Sequence, residues 1–170
     1  MDIRPEAQGG DVKVGDILMV RGGFIERYAQ LSPADRTAGA KRTEFAGVLQ
    51  EEPVLDWLHD CYFSALVGDS PTFECWPPKE KDGYIHQQIL ALWGMPLGEM
   101  WDMERLATRC RELGKWTFFV TSAPANVAGM FSSLSSGPRL CVNGFSIQVV
   151  LVRMQMPLLF CSYRKLGQIK

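Results

Sequence analysis

An alternation of short apolar runs with segments of helical periodicity constrains the fold of this chain most. The first run, Asp16–Arg21, ends at Gly22-Gly23, and the second, Ser64–Gly68, ends at an aspartate. Short apolar runs bounded by glycine or turn residues are typical of buried strands. A third run predicts a strand over Trp116–Thr121. Because helical segments separate these strands, the sequence predicts an α/β fold.

Four segments between the apolar runs carry helix signals. One helix is predicted over Phe24–Leu31, and the next begins at Ser32-Pro33, where serine is the N-cap and proline the first helical residue. Glu51–Tyr62 repeats apolar residues at three- and four-residue steps, so one face should pack on a sheet. The fourth helix is predicted between Asp102, as its N-cap, and Gly114.

Length and charge bound the class of protein. The 170 residues, of which 46% are hydrophobic and 22% charged, are enough for one domain with a real core. A formal net charge of -1 and a pI of about 6.1 give no basic surface for nucleic acid or anionic lipid. We therefore expect a small-molecule substrate, and no binding to nucleic acid or to a membrane.

The cysteine pattern and the apolar segments predict a cytoplasmic protein. Five cysteines, an odd number without a CxxC pair, favour reduced thiols over a disulfide scaffold or a cysteine-based zinc site. The segment Met1–Pro5 is polar and lacks the apolar stretch of a secretory signal. Gln148, Arg153 and Gln155 interrupt the apolar run Phe145–Phe160, so we expect no membrane span there.

The segment from Tyr84 to Glu99 sets a histidine at a predicted helix start and a carboxylate beyond a turn. An imidazole nitrogen of His86 and a carboxylate oxygen of Glu99 are donors that zinc and manganese accept. The two residues lie too far apart for one helical face, so the turn around Pro96 has to bring them together. The alternative is that His86 forms a hydrogen bond at the helix start and Glu99 is a solvated acid.

Asp69, Trp76 and Trp93 are the candidate pocket residues. Asp69 follows the second apolar run, where a strand end could present its carboxylate to a site, but Asp-x-Pro also favours a turn or capping role. The tryptophans fit either a pocket wall or the core. His59 has acidic neighbours and is predicted on a solvated helix face. No Gly-x-Ser-x-Gly or phosphate-loop pattern occurs, so a serine hydrolase and a nucleotide-binding protein are disfavoured.

Several segments in a fixed order resemble the cyclase family that includes bacterial kynurenine formamidase, and the resemblance is strongest to its fungal members. It covers the chain from about Val12 to Gly129. The segments that carry it are Gly15–Phe24, Phe45–Val48, Val67–Pro71, His86–Glu99 and Phe119–Pro124.

The resemblance implies a metal-dependent hydrolase or cyclase with a swivelling β/α/β fold, which is often a homo-oligomer. Members of the family cleave an amide, or open and close rings, with water activated by zinc or manganese. The resemblance makes His86 and Glu99 metal ligands, and it gives Asp69 a pocket position only. A fungal member would act in secondary metabolism.

Two departures from the family pattern shape the expectations for this chain. The family's histidine-rich metal motif lies in its N-terminal half, and here no histidine precedes His59. After Gly129 the likeness ends. We therefore expect residues 1–129 to be the C-terminal portion of a cyclase-like domain that is incomplete at its N-terminus, and residues 130–170 to be an atypical, poorly ordered tail.

Two matched ligands predict that metal binding is weak or absent and that activity is impaired, because a catalytic zinc usually has three protein ligands. One alternative is a truncated homologue without catalytic activity, which could pair with a full-length homologue. Another is a module that binds a small ligand or an interaction partner without turnover.

Overall fold

A parallel sheet lies at the centre of the fold. The computed structural model describes residues 12–78, 84–124, 135–136 and 149–152. Within these residues the sheet has four strands in the order β3-β2-β1-β6, and all neighbouring pairs are parallel. These strands are β1 (Ile17–Val20), β2 (Ala65–Gly68), β3 (Leu97–Gly98) and β6 (Val149–Val152). A separate antiparallel pair joins β4 (Ala123–Pro124) to β5 (Ser135–Ser136).

The predicted helices are present, with small shifts at their ends. They are α1 (Phe24–Gln30), α2 (Pro33–Gly39), α3 (Glu52–Asp60) and α4 (Glu104–Leu113). Ser32 caps α2 as predicted, because its hydroxyl oxygen accepts the backbone N–H of Asp35. The N-cap of α4 is Met103 rather than Asp102, although the Asp102 carboxylate accepts the backbone N–H of Glu104. A π-helix (Gln87–Leu92) follows His86. The α/β prediction is confirmed by this arrangement.

Alternate residues of β1 and β2 face two different hydrophobic clusters, as the period of two in a strand requires. Leu18 and Leu66 belong to the cluster that includes residues of α3 and the π-helix. Met19 and Val67 belong to the cluster that includes residues of α4. Both faces of β1 and β2 are therefore covered, which explains why these two strands are continuous apolar runs.

The strand predicted over Trp116–Thr121 is wrong. In the described part of the chain this segment has only a single bridge position, at Thr117. Trp116, Phe118 and Val120 are partly buried against the α4-side cluster. The alternation of apolar residues thus reflects the packing of their side chains against this cluster.

The predicted tail lies mostly outside the described residues. Its described parts are strands β5 and β6, and β6 pairs with β1 in register from Ile17 with Val149 to Val20 with Val152. The poor order expected of residues 130–170 stays a prediction. Among the described residues, no helix is long and apolar enough to cross a membrane.

Leu66 tests how much the sheet depends on its buried face. Its side chain is fully buried, whereas Leu113 at the end of α4 is 57% exposed. Leu66→Ala should lower the free energy of unfolding by about 2–5 kcal/mol, because the substitution leaves a cavity. Leu113→Ala is the matched control and should change it by less than about 0.5 kcal/mol. Urea unfolding followed by circular dichroism measures both, and equal effects would contradict the burial assigned to Leu66.

Candidate functional site

The candidate site lies where the parallel strands end. Asp69 directly follows β2, and Glu99 directly follows β3. Parallel strands bring their carboxyl ends to one edge of the sheet, and ligands of open α/β sheets usually bind there. This edge therefore gathers two of the residues that the sequence singled out.

Asp69 holds the start of α1 in place. Its carboxylate oxygens accept three backbone N–H groups, from Gly22 at 2.6 Å, Gly23 at 2.8 Å and Phe24 at 3.0 Å. Burial raises the pKa of Asp69 above the ordinary value, and these three donors oppose the rise. The side chain is buried and does not line the cleft beside His86. Its contacts are those of the capping role that the sequence left open.

Glu99 is fixed by its neighbours on both sides. A Cβ atom at Gly98 would lie 2.7 Å from Nε1 of Trp101, so the strand approaches this indole too closely for a larger residue. The Oε1 atom of Glu99 accepts the backbone N–H of Phe73 at 2.7 Å. The same oxygen lies 3.1 Å from Nε2 of His86. The structure therefore brings His86 and Glu99 together, as the sequence proposed.

Glu74 contacts the other side of the same imidazole. Its Oε2 atom accepts the backbone N–H of His86 at 3.1 Å, and its Oε1 atom lies 3.2 Å from Nδ1 of His86. The Glu74 side chain is fully buried. Among the described residues, Oε1 has no hydrogen bond of good geometry, so its contact with Nδ1 is an ion-pair contact without full alignment.

The two carboxylates favour the charged form of the imidazole. The pKa of His86 is raised from 6.5 to about 9, most by the Glu74 carboxylate and next by Glu99, while burial of the ring opposes the rise. Without a metal, His86 is therefore a cation at neutral pH, and both of its ring nitrogens carry protons.

The separation of the His86 and Glu99 donor atoms is that of an ion pair and is also compatible with two ligands of one metal ion. Two ligands about 2.0–2.1 Å from a tetrahedral zinc are separated by about 3.3 Å, close to the 3.1 Å between Nε2 and Oε1. Within residues 12–78 and 84–124, no group of three histidine, cysteine, aspartate or glutamate side chains is arranged to hold a metal. Glu74 does not complete the set because it lies at Nδ1, on the other nitrogen of the ring.

The two predicted pocket tryptophans line different clefts. Trp76 and His86 line a cleft of about 340 Å³, together with Glu74 and Tyr84. The rings of Trp76 and Tyr84 lie 5.6 Å apart. Trp93 instead lines a cleft of about 410 Å³ with His59, whose exposed ring lies 5.3 Å from the indole. Trp76 thus lies in the cleft that His86 lines, and Trp93 lies at a separate surface.

Comparison with solved structures yields matches that include one described as "Crystal structure of a novel cyclase". The two chains superpose with a TM-score of 0.61 and share 25% sequence identity, and the match covers 79% of this chain. The chain has a cyclase-type fold. It spans 42% of the length of that cyclase. No protein-family model matches the chain, and no curated protein matches it.

Sequence reasoning missed Glu74 in this cyclase-type fold. The residue lies between Phe73 and Cys75, in a segment where the sequence predicts neither a helix nor a strand. The available signal was a charged residue between apolar neighbours, a few positions after Asp69. That pattern does not reveal burial, because burial here depends on contacts with a distant segment around Gly47.

The raised pKa of His86 predicts a stability that falls with rising pH. The folded-state pKa of about 9 exceeds the unfolded value near 6.5, so the stabilisation is complete below 6.5 and lost as the pH rises through 9. Screening of the partly exposed ring leaves an expected contribution on the order of 2 kcal/mol. Urea unfolding at several pH values should show this loss in the metal-free wild type.

Two histidine variants separate this effect from other groups that titrate at alkaline pH. His86→Gln should lack the extra loss of stability between these pH values. His59→Gln should retain it, because His59 is an exposed residue at the other cleft. If the free energy of unfolding of wild type and of His86→Gln changed with pH in the same way, the contacts of His86 with Glu74 and Glu99 would be contradicted.

Proposed function

We propose that this chain is a cyclase-family, metal-dependent hydrolase or cyclase domain that acts on an amide, a lactone or a related carbonyl. The cyclase-type fold supports the family-level part of this proposal. The observation that carries the metal dependence is the 3.1 Å contact between Nε2 of His86 and Oε1 of Glu99. The separation matches two ligands of one ion, and the sequence resemblance assigns both residues the same role.

In this proposal, His86 and Glu99 hold zinc or manganese at the carboxyl edge of the sheet. When bound, such an ion supplies Lewis-acid polarisation of the substrate carbonyl and makes water more acidic. Nε2 of His86 has to release its proton before it can act as a ligand, whereas Nδ1 can keep its proton beside Glu74. The Phe73 N–H orients Glu99 by occupying one lone pair of Oε1 and leaves the other available.

The finer proposal is a kynurenine formamidase-like activity of a fungal type, in secondary metabolism. The paired rings of Trp76 and Tyr84 support an aromatic substrate, because they form an apolar wall next to His86. A formylated aromatic amine combines such a ring with an amide carbonyl. The resemblance in sequence supplies the rest of this assignment.

The remaining ligands are proposed to come from another polypeptide segment. Residues 12–78 and 84–124 supply two proposed ligands, His86 and Glu99, whereas a catalytic zinc usually has three protein ligands. A second copy of the chain or a full-length homologue could complete the site. The shortfall among the described residues also favours the second candidate, a homologue that binds a small ligand in the Trp76 cleft without turnover.

Metal binding is the first test. The chain should bind zinc or manganese weakly, and His86→Ala and Glu99→Ala should each abolish the binding. His59→Ala is the matched control and should leave it unchanged. Equilibrium dialysis with metal analysis gives the stoichiometry. Metal that survives dialysis at one equivalent and is unaffected by His86→Ala would show that the ligand assignment is wrong.

Turnover is the second test. The chain alone should show no hydrolysis of formylated aromatic amines or lactones above a protein-free control, because two ligands do not hold a catalytic metal. Co-expression with the N-terminal half of a full-length cyclase should give metal-dependent turnover that Glu99→Ala removes. Absorbance assays with and without zinc or manganese measure it. Turnover by the chain alone, abolished by Glu99→Ala, would contradict the need for a second polypeptide, and no turnover in any mixture would favour the non-catalytic candidate.

A further inference from the structure

Glu74 is a fully buried charged residue that contacts His86 and is not a proposed metal ligand. Its segment is fixed against Phe45–Val48, because the Val48 N–H donates to the carbonyl of Phe73 and the Cys75 N–H donates to the carbonyl of Val48, both at 2.9 Å. A Cβ atom at Gly47 would lie only 2.3 Å from the carbonyl carbon of Glu74. The backbone of Glu74 therefore has little freedom to move.

The Glu74 carboxylate contacts one residue twice. Oε2 accepts the backbone N–H of His86 at 3.1 Å, and Oε1 lies 3.2 Å from Nδ1 of the same residue. Because Glu74 contacts both the backbone N–H and the ring of His86, rotation of the His86 side chain is restricted. The opposite ring nitrogen, Nε2, then faces Oε1 of Glu99 at 3.1 Å.

A buried carboxylate at this position is unfavourable in free energy if its role is only structural. Removing a charge from water costs several kcal/mol, and a glutamine would accept the same backbone N–H without that cost. Among the described residues Oε1 makes no hydrogen bond of good geometry, and its contact at 3.2 Å is the ion-pair contact with Nδ1 of His86. The charge is thus available to the Nδ1 proton of His86 and has no other described use.

We propose that Glu74 is the positioning residue that keeps the proton on Nδ1 of His86 and so makes Nε2 the metal ligand. This inference rests on the proposed metal-binding function of His86 and Glu99. A carboxylate that accepts the N–H of a ligand histidine fixes the ring orientation and raises the basicity of the ligand nitrogen. Glu74 acts through His86 and does not contact the metal.

The first measurement is zinc affinity, determined by competition with a chelating dye. Glu74→Gln should weaken binding by about 10- to 100-fold, the range found when such outer carboxylates are removed. Glu104→Gln is the matched control, because Glu104 is likewise an ion-paired carboxylate, bound to Arg21 and partly buried, but it does not contact His86. It should leave the zinc affinity unchanged. Equal affinities of wild type and Glu74→Gln, with binding lost in His86→Ala, would overturn the proposal.

The second measurement is independent of metal and uses nitrogen-15 NMR of the imidazole rings. The chain has two histidines, so His86→Gln assigns both sets of signals and His59 is an internal reference. In metal-free protein in alkaline buffer, the neutral ring of His86 should carry its proton on Nδ1. Glu74→Gln should shift this tautomer toward Nε2, which a merely structural role would not do.

The two measurements separate failure of this inference from failure of the proposed function. If the wild type carries the proton on Nδ1 but binds no zinc, the metal site is wrong and the positioning contact stands. If the wild type carries the proton on Nε2, the positioning role of Glu74 is overturned whatever the zinc affinity. This wild-type result decides the proposal even if near-UV circular dichroism shows that Glu74→Gln does not fold.

Discussion

The parallel pairing of β1 with β2, buried on both faces, is the constraint on which the site depends. It aligns the carboxyl ends of the strands, from which Asp69 and Glu99 extend. Asp69 then fixes the turn into α1 through the backbone of Gly22, Gly23 and Phe24. The backbone N–H of Trp101 donates to the carbonyl of Gly68 and ties the chain after Glu99 to the end of β2. Glu99, which contacts His86, is thus held at the same edge that terminates the sheet.

The sequence predicted those parts of the fold whose signals are local. The apolar runs of β1 and β2 and the amphipathic helices follow from the spacing of residues that each segment contains. The strand predicted at Trp116–Thr121 failed because alternate apolar residues there pack against a hydrophobic cluster while the segment has only one bridge position, at Thr117. The long-range cap made by Asp69 joins residues more than forty positions apart. No local pattern encodes such a contact.

The candidate site was predictable only in part for the same reason. His86 and Glu99 were found through a resemblance in sequence, and the structure brings their side chains into contact. Glu74 could not be found because its full burial depends on the approach of Gly47 to its backbone. A charged residue in a loop is normally expected to be solvated, and only the three-dimensional arrangement reverses that expectation.

The three-residue arrangement also makes proton release part of any metal binding. In the metal-free protein the imidazole of His86 is a cation between two carboxylates, with a pKa of about 9. An incoming ion has to displace the Nε2 proton and separate the His86–Glu99 ion pair. The apparent affinity of any such ion would therefore depend on pH across the neutral range, because the proton on Nε2 of His86 has to leave first.

Gly47 gives this arrangement an evolutionary signature that its chemistry alone would not suggest. The residue has no side chain and contacts no substrate, yet any larger residue would collide with the backbone that carries Glu74. Selection that maintains the contact of Glu74 with His86 should therefore act on Gly47 as well. A relative that retains His86 and Glu99 but has a larger residue at position 47 is expected to have lost this contact, although a comparison of those two residues alone would not reveal the loss.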